Sequence, residues 1–109
     1  MDSINEILKV LKNFRDEREW GQFHNSKDLA IAISIESNEL LEQFLWKDPS
    51  DAKVDKIKEE LADILAYSFL LADKYELNIK DIILEKVKKN ALKYPVEKSK
   101  GNSKKYNEL

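Results

Sequence analysis

Two acidic pairs with the spacing i, i+3 lie on helix faces that are otherwise apolar. Glu36 falls within the apolar stripe of its segment, and Glu39 lies on the margin of that stripe, one turn further on. The second pair, Glu60 and Asp63, shares a face with Tyr67. A carboxylate on the core side of a helix is costly unless a partner compensates its charge. These two pairs are therefore the strongest candidates for chemistry. The apolar stripe around the first pair consists of Leu29, Ala32, Ile33 and Leu40.

Four carboxylates that converge inside a helical bundle repel one another, and each raises the pKa of its neighbours. A hard divalent cation removes this conflict, and a ligand set made only of oxygen atoms suits Mg²⁺ or Mn²⁺. The chain has a single histidine and no cysteine, which argues against a histidine-rich transition-metal site. It also lacks the Glu-x-x-His pairs of di-iron bundles. On this interpretation the four acids form a Mg²⁺ site, with Mn²⁺ as the alternative.

The same spacing also has an ordinary explanation. With 21 acidic residues among 109, chance places about four acidic pairs at i, i+3. Most such pairs lie on solvated helix faces, and Glu59 and Glu85 are assigned to that group. The residues alone therefore leave two interpretations open, a metal site and a solvated helix face.

Four helical segments are expected to position these residues. Each begins at a capping signal and carries apolar residues at helical spacing. A loop rich in aromatic rings, residues 20–25, separates the first two segments, and Pro49 and Pro95 end the second and the fourth. The segments cover residues 3–19, 26–45, 51–75 and 79–93, and the last three are capped by Asn25 or Ser26, by Asp48 or Ser50, and by Asn78.

The short connections favour antiparallel neighbours, so we predict an all-α fold, an antiparallel four-helix bundle. Two glycines and two prolines are too few for the turns of an all-β fold. Residues 1–95 are predicted to form the helical domain that carries the site, and residues 96–109 a polar, basic tail of the same domain. Residues 61–71 read LADILAYSFLL, which is apolar on nearly every helix face. One chain has too few other helices to cover such a segment, so we predict a homo-oligomer.

Composition and charge exclude several kinds of partner. The 19 basic and 21 acidic residues give a net charge of −2, which does not indicate a nucleic-acid partner. No apolar run approaches the roughly 20 residues of a bilayer span, so no membrane partner is expected. The start, Met1-Asp2-Ser3, lacks the features of a signal peptide, and we expect a cytoplasmic protein.

Aromatic and basic residues add candidate substrate contacts. Trp20 and Trp46 flank the second segment, and bases stack on such rings, although tryptophan is more often a core or interface residue. His24 could contact a base edge or a phosphate, or simply lie in a loop. Three residues of the fourth segment are spaced i, i+4, i+7. They could bind phosphate, or cover the core with their aliphatic stems. They are Lys86, Asn90 and Lys93.

The acidic pairs occur in the segments ESNE (residues 36–39) and ELAD (residues 60–63). These segments resemble the ExxE…ExxD signature of the all-α nucleoside triphosphate pyrophosphohydrolases, the MazG-like superfamily. The closer resemblance is to its dCTP pyrophosphatase branch, and it covers nearly the whole chain. It rests on four pieces in order and at compatible spacing: FRDEREWGQFH (14–24), ELLEQFLW (39–46), EELADILAY (59–67) and KYPVEKSKGNSKKYNEL (93–109).

The resemblance implies Mg²⁺-dependent hydrolysis of a nucleoside triphosphate to monophosphate and pyrophosphate. The implied substrate is dCTP or a modified pyrimidine deoxynucleoside triphosphate. The resemblance also implies a role in cleaning the nucleotide pool and a tetramer of two tight dimers. By position, the implied catalytic metal ligands are Glu36, Glu39, Glu60 and Asp63. The implied contacts of the nucleotide are Trp20, Trp46 and Tyr67 around the base, and Asn90 and Lys93 at the end of the fourth helix.

One position departs from the pattern. Leu11 stands where relatives have a histidine in the base pocket, so the resemblance does not fix a preference for cytosine. Two other classes of function remain open from the sequence. One is a helical interaction module whose acids are solvated. The other is a non-catalytic protein that senses a nucleotide or a metal.

Overall fold

The computed structural model describes residues 3–109, and every regular element among them is helical. The predicted all-α class is therefore confirmed. Met1 and Asp2, which belong to the start considered for a signal peptide, lie outside the described residues. The α-helices are α1 (Ser3–Glu17), α2 (Ser26–Glu42), α3 (Val54–Lys74), α4 (Ile79–Lys93) and α5 (Val96–Ser99). Short 3-10 helices lie at Trp20–Phe23, Pro49–Asp51 and Tyr106–Glu108.

Side-chain caps confirm two of the predicted helix starts. The Oδ1 atom of Asn25 accepts a hydrogen bond from the backbone N–H of Asp28 at 2.8 Å, at the start of α2. The Oδ1 atom of Asn78 accepts one from the N–H of Asp81 at 3.0 Å, at the start of α4. These bonds satisfy N–H groups that have no partner within the first turn of a helix.

Other helix ends differ from the prediction. Asp48 caps the 3-10 helix Pro49–Asp51, so α3 begins at Val54 and not near Asp51. The helices α1 and α2 end two and three residues earlier than expected. Glu19 and Trp46 beyond these ends have left-handed backbones, with φ of 54° and 62°. A left-handed residue cannot continue a right-handed helix.

The chain divides into two compact units, one that ends at Leu77 and one that spans Asn78–Leu109. In the first unit, α3 packs along α2 and against α1. Leu29 of α2 is its most deeply buried side chain, with 1% of its surface exposed, and Leu70 and Ala72 of α3 are also buried. This packing sets the acidic pair of α2 beside the acidic pair of α3. The four-helix bundle stays a prediction, because α4 belongs to the second unit.

In the second unit, the tail returns to the end of α4. The ring of Tyr106 packs edge-on against Tyr94, with 6.2 Å between the ring centres. The Nζ atom of Lys93 lies 4.9 Å from the centre of the Tyr106 ring. A cation over an aromatic face is favourable, so these contacts stabilise the position of the tail.

One apolar face of α3 has no cover within the first unit. Leu61 and Leu65 are 46% and 49% exposed. Leu65 lines an apolar groove together with Ile7 of α1, which is also half exposed. The other helices of the first unit thus do not cover part of the apolar segment at residues 61–71. None of the helices in residues 3–109 is long and apolar enough to cross a membrane.

Candidate active site

Three of the four predicted acids meet between α2 and α3. One carboxylate oxygen from each of Glu36, Glu60 and Asp63 lies within 4.8 Å of the other two. Glu39 lies outside this tight group of three, but its carboxyl group interacts with those of Glu36 and Glu60. The i, i+3 spacing on each helix turns both members of a pair toward the neighbouring helix. We call these four residues the acid group.

Two oxygen atoms of the acid group are buried without a partner. Glu36 Oε2 and Glu60 Oε2 accept no hydrogen bond within the described residues. A buried carboxylate oxygen that lacks a donor or a cation is costly. A divalent cation would be a partner for both atoms, and the all-oxygen donor set is the one that Mg²⁺ and Mn²⁺ prefer. The residues therefore fit the predicted type of cation.

The crowding of carboxyl groups changes their affinity for protons. Burial raises the pKa of Glu36 to about 7, and the neighbouring Glu60, Glu39 and Asp63 add to the increase. The neighbouring Glu36 carboxyl group lowers the pKa of Glu60, but burial and the neighbouring Glu39 and Asp63 outweigh this effect, so this pKa is also raised. The metal-free acid group therefore retains a proton near neutral pH.

A cavity of about 260 Å³ adjoins the acid group and is called the ring pocket here. Asp63 belongs both to the acid group and to the wall of this pocket. The rest of the wall comes from α1, α3 and the segment between α1 and α2. The structure thus brings three predicted substrate residues, Trp20, His24 and Tyr67, together beside Asp63. Further wall residues include Leu11, Phe14 and Arg15.

His24 and Tyr67 pack edge to face in this pocket, with ring centres 6.5 Å apart. Burial, and then the charges of Arg15 and Lys74, lower the pKa of His24, so its imidazole is neutral at pH 7. Its Nδ1 atom is buried and has no hydrogen-bond partner within residues 3–109. Burial, and then the charges of the acid group, raise the pKa of Tyr67, so its hydroxyl stays protonated. Both side chains therefore offer neutral polar atoms to a ligand.

The orientation of Trp20 is fixed by two neighbours. Its ring packs edge-on against Phe14 with 5.7 Å between centres. The guanidinium carbon of Arg18 lies 3.6 Å from the centre of the Phe14 ring and 5.9 Å from that of Trp20. Arg18 also donates from Nη1 to the carbonyl oxygen of Phe14 at 3.0 Å. Trp20 is thus held in place before any ligand binds.

Four further predicted site residues are described within their own units. Trp46 does not line the ring pocket, and its side chain is fully exposed. Lys86 and Asn90 share a shallow surface on α4, whereas the Lys93 ammonium lies over Tyr106. The last three residues belong to the second unit, and the roles of all four stay predictions.

Sequence reasoning missed Arg15 as a pocket residue. Only 14% of its side-chain surface is exposed, and it lies in the wall of the ring pocket. A signal was present in the sequence, because Arg15 follows Leu8 and Leu11 by seven and four residues. A basic residue on the apolar stripe of an amphipathic helix indicates a buried or functional cation.

Comparison with known proteins agrees with this geometry. The model of the MazG-like family matches residues 31–109, which include the whole acid group. dCTP pyrophosphatase 1 of Bos taurus is 34% identical over 115 residues, covering 98% of this chain and 68% of the relative. The Homo sapiens protein of the same name is 32% identical with the same coverage. The crystal structure of a pyrophosphatase from Archaeoglobus fulgidus DSM 4304 superposes with a TM-score of 0.82 and 39% identity, covering 87% of this chain and 94% of that one.

The chain belongs to the MazG-like family, since the family model spans well over half of its residues. Within that family, the relatives place it in the dCTP pyrophosphatase-like branch. The resemblance based on the ESNE and ELAD segments is therefore confirmed.

Proposed function

We propose that this protein hydrolyses a nucleoside triphosphate to the monophosphate and pyrophosphate. The observation that carries the proposal is the position of Asp63, which joins the acid group to the ring pocket. A base held among the rings leaves its sugar and first phosphate next to the carboxylates. The similarity to proteins named dCTP pyrophosphatase, and to a pyrophosphatase of known structure, supports the same activity.

The proposed substrate is a pyrimidine deoxynucleoside triphosphate, and dCTP or a modified form of dCTP is the preferred one. The proposed role of the reaction is to remove unwanted nucleotides. A pocket of about 260 Å³ is small for a ligand site and suits a single ring better than a purine. The fixed Trp20 ring is a stacking surface for such a base, and stacking contributes about 1–3 kcal/mol for each base. Trp46, Lys86, Asn90 and Lys93 are kept as further proposed contacts of the nucleotide.

The acid group would hold Mg²⁺, with Mn²⁺ as the alternative. When bound, the cation would neutralise charge on the phosphates and on departing pyrophosphate. Glu36 or Glu39 accepts the proton of a water molecule that attacks the α-phosphorus in line. A bond forms between the water oxygen and the α-phosphorus, and the bond from that phosphorus to the bridging oxygen breaks. Pyrophosphate leaves with the bonding electron pair.

The position of bond cleavage is the direct test of this function. We expect dCTP hydrolysed in ¹⁸O-labelled water to give dCMP that carries the label and unlabelled pyrophosphate, measured by mass spectrometry. The ring pocket and the acid group meet at Asp63, so the α-phosphorus is the phosphorus nearest to the carboxylates. Release of a diphosphate and labelled inorganic phosphate would mean attack at the γ-position and would contradict the proposal.

We further propose that the protein is a homotetramer. The exposed apolar groove that contains Ile7 and Leu65 supports an interface between copies, because large exposed apolar patches mark interaction sites. Light scattering at micromolar concentration is expected to give four times the 12.8 kDa mass of one chain. Leu65→Glu should shift the mass downward, whereas Glu59→Gln, at an exposed position of the same helix, should not. A monomeric wild-type protein is the outcome that rules this assembly out.

A further inference from the structure

We infer that Arg15 recognises the base in the ring pocket. Its guanidinium group donates two hydrogen bonds to the adjacent acceptors O2 and N3 of a cytosine ring. The inference rests on the proposed function, because it concerns the base of the proposed substrate. It assigns a specificity-determining role to a side chain that the acid group and its chemistry do not use.

The first support is the unusual place of this cation. Arg15 lies in the pocket wall with 14% of its side-chain surface exposed. Within residues 3–109, the one hydrogen bond of its side chain runs from Nε to Oδ1 of Asp16 at 2.8 Å. An arginine has five N–H donors, so the four on Nη1 and Nη2 remain for a ligand or water. These four donors are bound to no acceptor of the described residues, so a ligand in the pocket can supply acceptors for them.

The second support is that the Arg15 side chain is held in position. A Cβ atom placed on Gly21 would lie 3.6 Å from Arg15 Nε and 3.7 Å from its Cδ, so the arginine stem runs close against this backbone. On its other side, the Nε atom of Arg15 is held by the carboxylate of Asp16, a side chain that is exposed to solvent. A side chain held on two sides loses little entropy when it binds, which suits a recognition role.

The third support comes from the other polar atoms of the pocket. Leu11, one turn before Arg15 on α1, offers no hydrogen bond to a base. His24 and Tyr67 are neutral, so Arg15 is the cationic donor among the pocket residues. Its charge reaches His24, since it contributes to the lowered pKa of that imidazole. Arg15 is therefore the pocket residue best suited to bind a pair of acceptors.

The chemistry of the pyrimidines decides which base this donor pair selects. Cytosine presents O2 and N3 as neighbouring acceptors, which match the two parallel N–H groups of a guanidinium. Uracil and thymine carry N3–H beside O2, so one arginine donor would face another donor. Guanine also has adjacent acceptors, O6 and N7, but its two rings need more space than a pyrimidine. Arg15 thus favours cytosine over the other pyrimidines.

The test compares two substrates that differ at this edge of the base. We expect wild-type kcat/KM to be higher for dCTP than for dUTP, and Arg15→Met to lower this ratio roughly 10- to 100-fold. Arg15→Lys keeps the charge but not the planar donor pair, so it should also lose most of the discrimination. Lys9→Met removes a positive charge from an exposed position of the same helix and should leave the ratio unchanged.

A structural role for Arg15 at Gly21 and Asp16 would lower the activity on both substrates equally and leave their ratio intact. That result in a folded Arg15→Met or Arg15→Lys variant would overturn the inference, as would a wild-type preference for dUTP. Binding of dCMP and dUMP by calorimetry supplies a second readout that needs no turnover, with the same expected loss of discrimination. If wild-type protein released no pyrophosphate but still preferred dCMP in an Arg15-dependent way, the proposed reaction would fail while the role of Arg15 stood.

Discussion

Glu60→Gln is expected to lower kcat by about 10²- to 10⁴-fold while the protein stays folded. Glu60 contributes one of the three carboxylate oxygens within 4.8 Å of one another, and its Oε2 atom is buried without a partner. A glutamine keeps the shape of the side chain but loses the charge that would hold a divalent cation. The loss should appear in steady-state turnover of dCTP with saturating Mg²⁺, with circular dichroism to verify the fold.

A matched control lies next to it in the sequence. Glu59→Gln makes the same chemical change at an exposed side chain and should keep nearly normal turnover. Asp63→Asn should lose activity to a similar extent, but Asp63 also belongs to the ring pocket, so its KM should change as well. Near-normal turnover in Glu60→Gln would mean that the four acids are not the catalytic centre.

The acid group could be predicted from the sequence because its geometry is local. On a helix, residues three apart point to the same side, so the ESNE and ELAD segments each fix the direction of their own two carboxylates. The apolar positions around Leu29 then determine which sides of α2 and α3 meet. The caps at Asn25 and Asn78 were predictable for the same reason, since a cap is an interaction within one turn.

The ring pocket was harder to predict because it depends on contacts between elements. Arg15 lies on the apolar stripe of α1, but the part of the pocket wall that contains Trp20 and His24 depends on the turn at Glu19, whose left-handed backbone the sequence does not reveal. That turn brings Gly21 back against the arginine stem. Trp46 is explained in the same way. Its backbone is left-handed, and its side chain, which was predicted to contact the base, is exposed to solvent. Helical periodicity contains no information about either turn.

The metal-free protein is expected to lose thermal stability as the pH rises from about 5 to about 8, and Mg²⁺ should restore it. The pKa of Glu36 in the folded protein is about 7, above its ordinary value of 4.5. A group whose pKa is raised on folding contributes stability that is complete below its unfolded pKa and is lost as the pH rises through its folded pKa. Above its pKa of about 7, Glu36 adds a further negative charge to the crowded acid group, and the repulsion grows unless a cation lies between the carboxyl groups.

The gain in Tm from Mg²⁺ should therefore be large at pH 8 and small at pH 5.5, where protons compete for the same oxygens. A ligand at 100 times its Kd adds about 2.7 kcal/mol to the free energy of unfolding, and each kcal/mol shifts the Tm of a domain this size by about 4–8 °C.

Glu36→Gln removes one charge of the acid group, so the metal-free variant should melt above wild type at pH 8 and respond weakly to Mg²⁺. Glu59→Gln should behave as wild type in both respects. An equal Mg²⁺ effect at the two pH values, or an unchanged response in Glu36→Gln, would show that the cation binds elsewhere. The pH dependence thus distinguishes a cation held by the crowded carboxylates from one attracted to the acidic surface in general.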